Sequence, residues 1–173
     1  MATSRSGQHE ILSHEAIVTS RYLCPAGVWT IAAGITRAAG ASINPETFHG
    51  VLTLEECMDL FREVLPRYEA IVDALIGEIE VKQHEYDALV SLAWNVGNIN
   101  QPKTRRLVRS GLVSEAIDLW RKNETPGLRR RRNAEMRLAE TGQYQARKVG
   151  VYPARDGRVL WDDGQQVLVE DLP

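Results

Sequence analysis

EAIVTSRYLCPAGVWTI, residues 15–31, holds the change of pattern on which the fold turns. From about Gly7 to Thr19, Ile11, Glu15 and Val18 recur at i, i+4 and i+7 with Leu12 beside them. That spacing predicts an amphipathic helix carrying Glu15 on its apolar side. From Tyr22 to Thr36 the pattern changes. β-Branched and aromatic residues dominate, and Pro25, Gly27 and Gly34 punctuate them, as in a small hairpin or meander.

Downstream, Gly40 to Gly50 reads as a loop. Thr53 and Glu56 form a capping box, and the helix they open runs through Leu60, Leu65, Ile71 and Leu75 to Gly77, with a kink or break expected at Pro66. A second strong helix covers Lys82 to Val96 and ends at Gly97. Shorter ones are predicted over Pro102 to Arg109, Ser114 to Lys122 and Pro126 to Glu140, the last closed by Gly142. From Val149 to Leu172 apolar residues alternate, with turn signals at Asp156-Gly157 and Asp163-Gly164. This tail is either a hairpin packed on the body or a partly mobile segment. The expected fold class is α+β and mostly helical: a small N-terminal β-sheet and a larger helical lobe in one domain over residues 1–148, with a tail over 149–173. A cleft between two such lobes suits a long substrate.

A chain of 173 residues suffices for one well-formed core. No apolar run approaches the ~20 residues that span a bilayer, so no stable membrane insertion is expected. Met1 to Gln8 lacks the apolar stretch of a signal peptide. Cys24 and Cys57 are too few for a disulfide scaffold and suit a reducing compartment. His9, His14, His49 and His84 lack metal-ligand spacing, so neither metal nor other cofactor is expected. The net charge of −2 conceals roughly −7 over residues 1–100 and roughly +8 over 101–150, a polarity that suits a polyanion without selecting one.

Eight residues separate Glu15 from Cys24, and five separate Cys24 from Thr30. Around this spacing stand Gly27-Val28-Trp29-Thr30-Ile31, then Asp87-Ala88-Leu89-Val90-Ser91-Leu92-Ala93-Trp94-Asn95-Val96-Gly97, then Gly127-Leu128 with Arg130-Arg131-Arg132 and Glu135. In this order the three segments resemble the phage-type lysozymes, the endolysins of glycoside hydrolase family 24, over roughly residues 10–145. The family pattern is Glu, eight residues, Asp or Cys, five residues, Thr. The resemblance implies a lysozyme-like two-lobed fold with Glu15, Cys24 and Thr30 as catalytic residues. It also implies a substrate-binding role for Trp29, Gly34, Asn95 and Arg131, and peptidoglycan glycan strands as partner.

The residue types fit that chemistry. Glycoside cleavage needs an acid to protonate the leaving oxygen. A glutamate facing apolar neighbours has its charged form disfavoured and can hold a proton near neutral pH. The second group stabilises the positive sugar centre, activates water or attacks directly. A free thiol, titrating near ~8.5, is a poor anion at pH 7 unless perturbed. The resemblance favours water held between Cys24 and the Thr30 hydroxyl, over a covalent glycosyl-cysteine. The expected function is a muramidase cutting between N-acetylmuramic acid and N-acetylglucosamine. It is expected to be a monomer, made in the host cytoplasm and reaching the wall through a membrane lesion made by another protein.

Plainer readings stand beside these. Glu15 could pair with a cation such as Arg131. Cys24 could be a core thiol or bond to Cys57, itself expected in the core. Thr30 could be only a strand former. Trp29, Trp94 and Trp120 fit a core, Trp161 an anchor for the tail, and His14 the surface. Arg129 to Arg132 read as a solvated face with one arginine bridging to an acid. No aromatic platform accompanies them, so nucleic-acid binding is not expected. The chain also departs from the family pattern. Ala16 replaces a glycine, and Ala32-Ala33-Gly34-Ile35 stands where Gly-Tyr-Gly-His is usual. Lytic transglycosylation and an impaired, wall-binding lysozyme-like module are therefore the alternatives.

Overall fold

The computed structural model describes residues 1–121 and 125–173. Helices α1 (Arg5–His14), α2 (Leu54–Ile76), α3 (Gln83–Val96), α4 (Pro102–Arg109), α5 (Val113–Arg121) and α6 (Pro126–Thr141) alternate with seven short strands. The strands are β1 (Ile17–Leu23), β2 (Trp29–Ala32), β3 (Ile35–Thr36), β4 (Lys148–Tyr152), β5 (Ala154–Arg155), β6 (Arg158–Val159) and β7 (Gln165–Leu168). This is the expected α+β class. Lys122, where the sequence placed the end of the fifth helix, lies outside the described residues.

The chain divides into two compact units. One comprises Met1–Ile11 and Pro66–Gln145, the other Leu12–Leu65 and Ala146–Pro173. In the first, α3 is buried continuously from Tyr86 to Trp94, so this helix is enclosed on every side. Its Asp87 carboxylate accepts hydrogen bonds from the Ser4 backbone (3.0 Å) and hydroxyl (2.5 Å), Gln83 Nε2 (2.9 Å) and Tyr144 Oη (2.7 Å). A buried carboxylate satisfied this fully ties the first residues of the chain to α3.

The second unit is built on a mixed sheet of order β3-β2-β1-β4-β7. β1 runs antiparallel to β2 and parallel to β4, with Ile17 opposite Val151 and Val18 opposite Tyr152. The sheet is therefore not only N-terminal: residues after 147 supply two of its five strands, and the expected tail boundary at 149 falls inside β4. Between the pairs Val18–Ala32 and Tyr22–Thr30, Thr19, Ser20 and Arg21 face Ile31 alone, an irregularity that bends β1. In the tail, Asp156 and Gly157 both take positive φ (50° and 76°), as an Asp-Gly hairpin turn requires, and join β5 to β6.

Two expectations need correction. The first helix does not reach Thr19. It ends at His14, because Ile17, Val18 and Thr19 are β-branched and complete a sheet that the local helical period cannot anticipate. Glu15 and Val18 therefore do not share a helical face. The second helix does not break at Pro66. It continues to Ile76, so the loss of one backbone donor is tolerated inside its 23 residues. The capping box at its start is as read: Thr53 Oγ1 accepts from the Glu56 N–H (3.1 Å), and Glu56 Oε2 accepts from the Thr53 N–H (2.7 Å).

Candidate active site

Glu15 sits in the bend between α1 and β1, in the second unit. Its N–H closes the last turn of the helix on the Leu12 carbonyl (3.2 Å). Its side chain is half-buried and lies against Gly34, where a Cβ would stand 3.3 Å from Glu15 Oε2. Gly34 has φ of +82°, a conformation that penalises any side chain. Its role is thus to let backbone approach the carboxylate while turning β2 into β3. Ala32, at the position where the family pattern has glycine, is buried with φ of +50°. The chain keeps the left-handed turn there and bears the strain of a Cβ, a cost of roughly 1–2 kcal/mol.

Cys24 and Thr30 meet across the hairpin. The Cys24 N–H bonds the Val28 carbonyl (3.0 Å), and the Gly27 N–H bonds the Cys24 carbonyl (2.8 Å), which folds the Pro25–Val28 turn over the sulfur. Desolvation pushes the thiol up. The backbone N–H groups of Val28 and Ala26, the Thr30 hydroxyl and the Cys24 backbone, all hydrogen-bonded to it, outweigh that and hold it below its ordinary value. The turn acts as a small nest for an anion. Thr30 is almost wholly buried, and its single hydroxyl proton serves either the sulfur or the Val28 carbonyl (2.9 Å), one at a time. Tyr22 is directly opposite Thr30 and shares its face of the ribbon. Burial, then the charges of Glu15 and Cys24, push the Tyr22 phenol up to about 12. Tyr22 thus faces Thr30 and feels the charges of Glu15 and Cys24, and sequence reasoning passed over it. Its place two residues before Cys24 was the available signal.

Both cysteines are free, and Cys57 is buried as expected, its thiol pushed up to about 12 by burial and then by Glu56. Iodoacetamide is expected to label Cys24 with a rate that rises with pH through an inflection below the ordinary value of a free thiol. Cys57 should stay unlabelled until the protein unfolds. Peptide mass mapping across a pH series measures both. Equal labelling of the two, or an inflection above that value, would contradict the nest.

A family model for phage lysozyme matches residues 12–135. The chain belongs to the phage lysozyme family. That match spans the Glu15–Cys24–Thr30 constellation and stops short of the C-terminal strands. Two curated phage lysozyme relatives are similar to it. One is a SAR-endolysin of Haemophilus phage HP1, 32% identical over 87 residues, which are 50% of this chain and 43% of that protein. This chain's match therefore spans less than half the length of that relative. The other is an endolysin of Acyrthosiphon pisum secondary endosymbiont phage 1, 29% identical over 154 residues, 82% of this chain and 99% of that protein. Among solved structures, the endolysin from Escherichia coli O157:H7 phage FAHEc1 superposes with a TM-score of 0.74 at 25% identity, covering 84% of this chain and 97% of the other.

The remaining predicted site residues of this phage lysozyme fold are placed differently. Asn95 and Arg131 belong to the first unit. Arg131 Nε pairs with Glu135 Oε1 (3.0 Å), and its Nη2 donates to the Ser91 carbonyl (3.1 Å). Arg132 Nη1 pairs with Glu135 Oε2 (3.0 Å), while Asn95 Oδ1 accepts from Arg132 Nη2 (2.6 Å). The solvated face expected for Arg129 to Arg132 holds for Arg129 and Arg130, which are exposed, and is corrected for Arg131 and Arg132, which are buried where Glu135, the Asn95 side chain and the Ser91 carbonyl supply their partners. Trp94 is in the core, packed on Tyr68 with ring centroids 4.7 Å apart. Trp120 is half-buried, and Trp161 is exposed, edge-on to Tyr152. Trp29 is half-buried and not in the core. The Arg21 guanidinium lies over its ring at 4.2 Å.

Proposed function

We propose that this chain is a muramidase that hydrolyses the β-1,4 bond between N-acetylmuramic acid and N-acetylglucosamine in bacterial peptidoglycan. The observation that carries the reading is the pairing of the Glu15 carboxyl, set against the bare backbone of Gly34, with a Cys24 sulfur that hydrogen bonds hold toward its anion. Glu15 protonates the glycosidic oxygen as the bond to it breaks. The Thr30 hydroxyl and the Cys24 thiolate hold a water against the sugar carbon that becomes positive. The sulfur takes the water's proton as its oxygen bonds to that carbon. One water is consumed, and one new reducing end is made. The names of the related endolysins support a wall substrate.

On this reading the protein works as a monomer on glycan strands, without cofactor or nucleic acid. It is made in the host cytoplasm and gains the wall through a membrane lesion opened by another protein. Among the described residues no helix is long and apolar enough to cross a membrane. Burial of Arg131 and Arg132 removes half of the four-arginine run from any polyanion surface.

The test is digestion of purified peptidoglycan with analysis of the products by mass. Fragments carrying one added water at a reducing muramic acid are expected. Anhydro-sugar products would replace hydrolysis by lytic transglycosylation. Wall sedimentation without products would make the chain an inactivated binding module, for which the strained Ala32 is the favouring observation.

A further inference from the structure

The second unit holds a cavity of about 310 Å³ on the face of the β1–β2 ribbon turned away from Thr30. Side chains alternate along a strand. Tyr22 and Thr30 form one directly opposed pair, and Leu23 and Trp29, on the other face, form the next. The cavity is lined by Arg21 and Trp29 from the ribbon, His49 and Val51 from the loop before α2, and Arg155 and Asp156 from the β5–β6 hairpin. It is thus built partly from residues beyond the stretch that matches the family model. The hairpin is fixed to the ribbon by the Leu23 N–H bond to the Gly157 carbonyl (2.8 Å). Gly157 also abuts Trp29, where a Cβ would come within 3.1 Å of the ring.

The charges on this wall are one-sided. Arg155 lines the space, and Arg158, outside the lining, is directly opposed to it across the hairpin, an arrangement that repels. Neither guanidinium has a side-chain hydrogen bond or ion pair among the described residues. Arg21 donates to the neutral Glu46 carbonyl (2.5 Å), so its charge is not cancelled by an acid there. His49 adds a donor, and Asp156 is the only acid lining the space. Val51, 76% exposed, supplies an apolar edge.

We propose that this cavity binds a short acidic peptide: carboxylates on Arg21 and Arg155, an amine on Asp156, and aliphatic atoms on Val51. The volume lies at the low end of the roughly 300–1,000 Å³ of small-ligand pockets, enough for one or two residues and too little for a polymer. Naming that peptide as a peptidoglycan stem rests on the proposed substrate; the anion site does not. Because the cavity faces away from Thr30, the stem it takes hangs from a glycan strand other than the one being cut, and binding holds the enzyme on the wall.

The probe is the stem tetrapeptide L-Ala-γ-D-Glu-meso-diaminopimelate-D-Ala, titrated against the full chain. The readout is the indole N–H resonance of Trp29, assigned by its loss in Trp29→Phe. A saturable shift is expected, with affinity falling at least tenfold in Arg155→Glu and severalfold in Arg155→Ala, at an exposed position. These variants should still cleave soluble, peptide-free glycan strands but sediment less with intact walls. No shift, or equal affinity in the variants, overturns the site. Competition by inorganic phosphate at equal concentration overturns the peptide assignment and leaves a general anion site. Tetrapeptide binding by a chain that cuts no peptidoglycan would sink the muramidase reading and leave the cavity standing.

Discussion

Glu15→Gln is expected to lower peptidoglycan turnover at least ~10²-fold, with far-UV circular dichroism and melting temperature essentially unchanged. The substitution keeps the shape of the side chain beside Gly34, and the Glu15 N–H that closes α1 is backbone and stays. What disappears is a transferable proton at the leaving oxygen. Because the effect falls on the bond-breaking step, kcat should drop while binding to walls persists. Turnover within a few-fold of wild type would remove Glu15 from the role of acid. Collapse of the fold would show instead that its carboxylate is a structural anchor. Reading rate and melting on the same preparation separates the two.

Glu135→Leu is expected to cost about 3–5 kcal/mol of stability. Glu135 is 2% exposed and answers two guanidinium groups, those of Arg131 at 6% and Arg132 at 0% exposure. It also accepts from the Ser91 hydroxyl (2.7 Å). Removing it takes away the carboxylate that answers both cations and that accepts from the Ser91 hydroxyl. Against the 5–15 kcal/mol that typically separates folded from unfolded, this is a large share. Urea denaturation should show an early midpoint or no folded baseline at all. Replacing Arg131, Arg132 and Glu135 together by apolar residues of similar size is expected to recover most of the loss, since the penalty comes from the unpaired charges. A loss below 1 kcal/mol in the single variant would mean that water reaches the cluster.

The helical half of the molecule was legible because its signals are local. The Thr53–Glu56 capping box, Gly97 and Gly142 mark helix ends by side-chain and backbone chemistry within a few residues. The end of α1 was not legible. Residues 15–19 satisfy a helical period as well as a strand, and only pairing with Val151 and Tyr152, more than 130 positions later, decides between them. The trio proposed for the chemistry stands out by its spacing and by the segments around it, and the sequence could not add that Pro25–Val28 turns its N–H groups onto the Cys24 sulfur. The buried fate of Arg131 and Arg132 was hidden for a related reason. Four consecutive arginines look like surface, and nothing in the run itself announces that Ser91, Asn95 and Glu135 will enclose two of them.

Strand β4 lies inside the sheet, between β1 and β7. During synthesis β1 must therefore wait, with one edge unpaired, until the last 28 residues of this chain have left the ribosome. Glu15 and Cys24, both proposed for the chemistry, flank that waiting strand. The nascent chain should consequently gain competence late and all at once, and a product truncated before Lys148 should expose an aggregation-prone edge in place of an enzyme. Maturation of the site is timed by the arrival of β4, though every residue proposed for its chemistry lies within the first 30.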